Sequence, residues 1–501
     1  MKINLCIWRL WTLGLVFSAC GDDNSDYIPP AIEPPVTPPA EEVYNIPDFE
    51  PHVDGEPFNT YRGLVMAGYQ GWFGAPGDGC SHSQHANTAW YHYRENNVFE
   101  PGVLRNSIDF WPDMSEYEKQ YTPMKVRNGE ETPAFYYPNG EAATVYSAYD
   151  ESSVLLHFKW MKDYGLDGVF MQRFVGEVIN NPDGKDHFDK VLASAMKGSN
   201  LYQRAICVMY DLGGFMDGGV RNTVAEVLVD AQSIMDTYQL KNRDVQKYYL
   251  YQNEKPLIVL WGVGFNDNRP YSLDDIELLM NGLKEKGFSI MLGVPTYWRQ
   301  RSNDCLPDPK LHDLIKAADV IMPWFVGRYG NDNYSNFHSL IESDIAWCEN
   351  EGVEYAPLCF PGSSDRNMHP NNTVNDRVGG HFLWNQMYHC IKSGAQMLYI
   401  AMFDEIDEGT AIYKCLNKSD VPSNESDLEY YVAYDGNSYY TFANEPTNID
   451  KYDWVQKASD LNVVFQGIED DLPTDHYLWL VGQGRKMLRG EIPLKSSWPS
   501  R

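Results

Sequence analysis

From about residue 60 the chain repeats one pattern, a short and almost wholly apolar run followed by a longer stretch that often carries helical periodicity. The runs fall at 63–68, 168–172, 205–210, 257–261, 289–294, 320–324, 355–360 and 397–403. Runs that stay apolar instead of alternating belong to strands covered on both faces, as parallel strands are when helices pack outside them. Amphipathic segments lie between them at 152–164, 220–238, 272–286, 311–318, 339–350 and 378–393. Eight such strands alternating with helices predict an α/β fold, a (β/α)8 or TIM barrel, over residues 58–495. A doubly wound open sheet is the alternative, and the lack of a glycine-rich phosphate loop after the first run counts against it. Two parts stand outside the repeat. Residues 74–150 form a long excursion between the first strand and its helix, where lids and subsites are built. Residues 418–501 form a C-terminal extension, with irregular β structure expected around Tyr430, Tyr431, Val432, Tyr434, Tyr439 and Tyr440, and a closing helix at 476–488.

The first 47 residues read as an address. Lys2 and Arg9 precede an apolar stretch, 10–17, too short to span a bilayer permanently, and Phe17-Ser18-Ala19-Cys20 resembles a bacterial lipobox. Residues 1–19 are then a lipoprotein signal peptide, and Cys20 is the lipidated N-terminus that meets outer-membrane lipid. The acidic run 21–26 resembles the export signal of surface lipoproteins in Bacteroides-type bacteria, so a cell-surface outer-membrane lipoprotein is expected, with the periplasmic face as second choice. Residues 20–47, rich in proline, form an extended tether.

Charge narrows the partners. Asp and Glu number 70 against 40 Lys and Arg, a net charge of −30, which repels phosphate backbones, so no nucleic-acid partner is expected. Fourteen Trp and 34 Tyr suit neutral, polyhydroxylated ligands that stack on aromatic rings. Past Cys6 and Cys20, seven cysteines remain with no CxxC pair, which argues against a zinc or redox motif. His82, His85 and His92 cluster in the excursion, but a metal site would need more ligands; neither a metal nor another cofactor is expected.

A barrel carries its chemistry just after the C-terminal ends of its strands. There this chain places Tyr69, Gln70 and Trp72 after the first run, Arg173 after the second, Asp211 after the third and Asp267 after the fourth. Trp298 and Arg299 follow the fifth, Trp324 closes the sixth, and Arg366 follows the seventh. All are candidate substrate-binding residues, with Trp72, Trp298 and Trp324 as stacking platforms. For Arg299 and Arg366 the alternative is a salt bridge to one of the many acids. For Asp211 and Asp267 it is a helix cap.

After the eighth run the chain reads Asp404-Glu405-Ile406-Asp407-Glu408-Gly409-Thr410. Glu405 and Glu408 are three apart, so a helical turn would put them on one face, about 5–6 Å apart at Cβ. Glycosidic bond cleavage needs one carboxyl held protonated and one ionised, and like-charge proximity separates two such groups. A solvated turn or a calcium site is the alternative, although the regular alternate-residue ligands of an EF-hand loop are missing.

Three phrases, Gly68-Tyr69-Gln70-Gly71-Trp72-Phe73, the segment 160–169 (WMKDYGLDGV), and above all Glu405-x-x-Glu408-Gly409-Thr410, resemble glycoside hydrolase family 99 and the bacterial "71/99-like" branch around it. The chain end, 472–475 (LPTD) followed by 487–494 (MLRGEIPL), is similar too. The resemblance implies a (β/α)8 glycosidase without a required metal. It implies endo action on an α-linked polysaccharide or oligosaccharide, α-mannan first, with retention through a 1,2-anhydro sugar. Glu405 would take the proton of the sugar 2-hydroxyl, and Glu408 would protonate the leaving oxygen and then activate water. The family phrase usually has Asn, Trp and often His where this chain has Asp404, Ile406 and Asp407. A xylosidase/arabinosidase, an α-glucanase and a non-catalytic glycan-binding lipoprotein therefore stay open as alternatives, and a glycan import system is a further expected partner.

Overall fold

The computed structural model describes residues 49–81, 89–214 and 220–501, all within the unit Tyr44–Arg501. The signal peptide, Cys20 and the whole tether lie outside the described residues, as do His82 and His85.

Among the described residues, eight parallel strand positions form one ring. They are β1 (Val65–Tyr69), β2 (Gly168–Phe174), β3 (Ala205–Asp211), β4 (Lys255–Trp261), β5 (Ser289–Val294), β6 (Val320–Pro323), β7 in two pieces (Glu354–Tyr355 and Leu358–Cys359) and β8 (Leu398–Ile400). Each of the first six pairs with the next, and β1 pairs with β8 through Val65↔Leu398 and Met66↔Tyr399. The ring closes at β7. Its first piece pairs with β6 and its second with β8. The break falls at Pro357, which has no N–H to give a ladder. Even so, Ala356 N–H donates to Ile321 O at 2.9 Å, and Pro357 O accepts from Tyr399 N–H at 3.0 Å, so the strand holds both neighbours. An open sheet would end in two free edges here. All five residues of β1 and all six of β5 are buried, the double coverage that their unbroken apolar runs require.

The helices of the repeat are α1 (Glu151–Tyr164), α2 (Pro182–Tyr202), α3 (Val220–Thr237), α4 (Leu273–Lys286), α5 (Lys310–Ala317), α6 (His338–Glu351), α7 (His381–Lys392) and α8 (His476–Leu488). Sequence reading missed α2 and the short helix Val175–Asn180 before it. The buried positions of α2, such as Val191, Leu192, Ala195 and Met196, are diluted by lysine, aspartate, glycine and serine. Its start is conventional, with the Asn181 side chain accepting from Asp183 N–H and Pro182 at the first position. The closing helix α8 is pinned to the bottom of the barrel by Asp167. That carboxylate accepts from Val65 N–H, Arg485 and Arg489, each at 2.9 Å.

The 74–150 excursion is largely packed. It carries one hairpin, Met124–Arg127 with Glu130–Pro133, and a buried aromatic layer in which Tyr93, Phe99, Trp111, Phe135 and Tyr146 touch ring to ring. The extension holds a regular three-stranded antiparallel sheet, Tyr431–Tyr434 flanked by Tyr439–Phe442 and Trp454–Lys457, where irregular structure was expected. All seven described cysteines are buried and free.

Candidate active site

Strand parity decides which side chains reach the mouth of the barrel, because neighbours in a strand point to opposite faces. In β2, Arg173 points outward. Its guanidinium grips Asp230 on α3 with two bonds of 2.6 Å, and Tyr210 of β3 donates to the same carboxylate at 2.6 Å. Gln172 and Asp211, one place away in each strand, therefore face inward. The same shift separates Tyr69 from Gln70. Tyr69 is fully buried, its hydroxyl 2.8 Å from His157 Nδ1 on α1, while Gln70 turns toward the end of β8.

The segment after β8 is built around two carboxylates with different duties. Asp404 accepts from Gln70 N–H at 2.8 Å and from Gly71 N–H at 2.9 Å, stapling the end of β1 to the end of β8. That staple places Gln70, whose Nε2 donates to Glu405; Thr410 donates to the other Glu405 oxygen. Glu405 is 3% exposed. Glu408 is open to solvent, and no described residue donates to its carboxylate. Gly409 lets the chain make this turn. It has φ +64°, and a Cβ there would stand 2.6 Å from Ser364 N.

Four acids thus share one small volume. Burial pushes Asp404 up to about 7 and Asp407 up to about 8. Glu405 is raised by burial and by Asp407, against the pull of its Thr410 and Gln70 bonds. Glu408 is raised first by the charge of Glu405, then by lost hydration. The donors decide the order. Glu405, with two hydrogen bonds favouring its anion, ionises first, and its charge keeps the proton on Glu408. One base and one acid result.

The residues around this pair form a floor and a wall. Asp211, inward at the end of β3, is pushed up to about 6 by burial, against the Gly213 N–H bond. Tyr399 lies near both, its hydroxyl within reach of the charges of Glu405 and Asp211. Trp261 and Trp324 meet edge to face at 5.2 Å, both half-buried. Trp72 stacks on His92 at 3.9 Å and 4°, with Phe174 on its flank at 5.1 Å. His92 Nδ1 is 3.5 Å from Asp407 Oδ2, and burial lowers that imidazole to about 3. Asp109 from the excursion locks the β7 loop, accepting from the Arg366 and Asn367 N–H groups at 2.9 Å each, while its own N–H donates to Ile406 O.

Of the sequence candidates, the structure brings Glu405, Glu408, Gln70, Asp211, Trp72 and Trp324 to the barrel mouth. The other six have different surroundings. Tyr69 and Arg173 are wall residues whose parity is one off. Trp298 is fully buried and packs edge to face on Trp347 of α6, and Arg299 is bound to the buried Asp344 of α6 at 2.7 Å. Asp267 is exposed and pairs with Arg269, whose guanidinium covers Trp261 at 5.2 Å. Arg366 donates to Leu461 O at 3.0 Å, joining the β7 loop to the extension. Asp404, Gln172, Asp109, Trp261 and His92 were missed as site residues. For Gln172 and Trp261 the signal was available, since Gln172 is the inward neighbour of Arg173 and Trp261 is the last inward residue of its strand.

No protein-family model matches the chain, and no curated protein does. Solved structures do. A GH99 endo-alpha-mannosidase from Bacteroides thetaiotaomicron in complex with bis-tris-propane superposes with a TM-score of 0.55 at 14% identity, over 86% of this chain and 99% of that one. A second structure of a GH99 endo-alpha-mannosidase from the same organism gives a TM-score of 0.52 at 14% identity, with the same coverage. The chain has a GH99-like (β/α)8 fold.

Proposed function

We propose that this protein is a glycoside hydrolase that cuts an α-linked polysaccharide or oligosaccharide internally, with α-mannan the leading substrate. The observation that carries the reading is the asymmetric pair at the barrel mouth, Glu405 held by two donors and Glu408 by none. Glu405 as carboxylate takes the proton of the sugar 2-hydroxyl. The 2-oxygen then closes on the anomeric carbon to form a 1,2-anhydro ring while Glu408 gives its proton to the departing oxygen. In the second step Glu408, now a carboxylate, takes a proton from the attacking water. Opening of the ring returns the Glu405 proton to the 2-oxygen, and configuration is retained overall. The fold shared with the two endo-alpha-mannosidase structures supports the substrate class. Asp211, Trp261 and Trp324 offer the hydroxyl partner and ring faces that a sugar needs.

The test is Glu408→Gln. Turnover on unactivated glycan falls on the order of 10²-fold or more with the unfolding midpoint kept; near-normal turnover would remove Glu408 from the acid role. Following the anomer first released by NMR checks retention, and an inverted product would overturn the anhydro route. The lipobox reading adds that Cys20 is lipidated and the enzyme surface-bound. Cys20→Ser should release a soluble, active protein, and persistent membrane association would sink the anchor.

A further inference from the structure

The three-stranded sheet of the extension sets Tyr434, Tyr439 and Trp454 opposite one another in register, so their rings share one face. The centroids of Tyr434 and Tyr439 are 4.6 Å apart, and Trp454 is 6.2 Å and 6.1 Å from them. All three are half-buried, with ring surface left to solvent. Deeper on the same face Val432 is fully buried against Tyr430 and Val463, so the sheet is fixed to the body of the protein. The trio is linked to the catalytic pair through the β7 loop. His369, on the β7 loop, has its ring centroid 6.1 Å from Tyr439 and lies within electrostatic reach of Glu408. Asp365 holds that imidazole at 2.9 Å, and its charge also reaches the Tyr439 hydroxyl. Ser364 of the same loop donates its N–H to Glu408 O at 2.9 Å, so the β7 loop runs from Glu408 to the neighbourhood of Tyr439.

The geometry points to an extended subsite, in which the extension binds sugars of the leaving-group part of the chain by stacking them on Tyr439, Tyr434 and Trp454. The side follows from the roles above. Glu408 protonates the departing oxygen, so the chain beyond that oxygen runs toward the residues flanking Glu408, and His369 and the aromatic trio flank it. Neutral pyranose rings fit this wall, since their C–H faces stack on aromatic rings and require no countercharge on a strongly acidic protein. The inference rests on the glycosidase reading and gives it a length preference: long chains are better substrates than disaccharides because only they reach the trio.

The experiment compares kcat/KM on yeast α-mannan with kcat/KM on an α-linked disaccharide, for residues 21–501 and for Tyr439→Ala and Trp454→Ala. The expected result is that the preference for the long chain falls about tenfold, mainly through KM. Tyr439→Phe and Trp454→Tyr, which keep a ring, should restore most of it. A preference unchanged in alanine variants that unfold at the wild-type temperature overturns the subsite and leaves the enzyme reading intact. If an alanine variant unfolds early, Tyr434→Ala and the ring-keeping pair decide in its place: the subsite stands if preference follows the ring and falls if it does not. If wild type cuts neither substrate, the enzyme reading fails and affinity electrophoresis in α-mannan gels takes over. Retardation that is lost on Tyr439→Ala supports the subsite alone, and no retardation of wild type removes both.

Discussion

Two clusters of charge sit in this barrel, one on the outer wall at β2 and β3 and one at the mouth after β8, and they are built on opposite rules. On the outer wall Arg173 meets Asp230 with two bonds of 2.6 Å, and Tyr210 and Lys185 complete the surroundings of that carboxylate. Burial alone would raise Asp230, but Arg173 draws it below the ordinary carboxylate range. At the mouth, Asp404, Glu405, Asp407 and Glu408 crowd together, and among the described residues the groups that bind their side chains are neutral donors and the unprotonated His92. Among the described residues Asp407 Oδ1 is buried without a hydrogen-bond partner. A fold that pairs one buried charge so completely, then leaves four acids with no cation bound to their carboxylates, is holding protons ready at the second place.

The contrast can be broken most heavily at the paired cluster. Asp230→Ala leaves the buried Arg173 with only the half-exposed Asp189, at 2.7 Å, as its carboxylate partner, and should cost about 3 kcal/mol in urea unfolding. A loss under about 1 kcal/mol would mean that the pair is not structural. Next in size is pH. Asp407 and Asp404 have folded pKa values near 8 and 7, against about 3.9 unfolded, so the folded state binds more protons between those limits. The stability they contribute is fully present below about pH 4 and is lost as pH rises toward 8. Asp230, depressed, runs the other way, its contribution being present above about pH 4 and lost on acidification through its folded value. Asp407→Asn should therefore flatten the decline in stability from pH 5 to pH 8. An unchanged slope would show that Asp407 is ionised in the fold. The smallest effect is expected from Gln70→Ala, which removes one donor from Glu405. The acidic limb of the kcat/KM profile then moves up by about half a unit to one unit, and a limb that stays put would remove Gln70 from that role.

Much of this was legible in the chain, and the failures have one cause. The eight apolar runs foretold the ring because parallel strands buried on both faces leave a strong signal. Glu405 and Glu408 were legible because their spacing and their place after the last strand narrow the chemistry. Side-chain direction was harder. Tyr69 and Arg173 lie one residue from Gln70 and Gln172, and a one-residue error in parity exchanges cleft and wall. Trp298 and Arg299 went the same way, into α6, since a loop residue obeys no period. Asp404 and Asp109 could not be found from sequence, for their partners are 334 and 257 residues distant. The trio of Tyr434, Tyr439 and Trp454 was half visible as tyrosine enrichment, but its shared face depends on a register that composition does not fix.

The central claim is that the unpaired cluster does chemistry on an α-linked glycan. The most direct measurement is product release by residues 21–501 from yeast α-mannan, α-glucans and arabinoxylan, beside the Glu405→Gln/Glu408→Gln double variant. The account predicts oligosaccharides from α-mannan with wild type alone, the variant still binding the polymer. Equal binding by both proteins with no release from any polymer would contradict it, and would make the barrel a glycan-capturing surface.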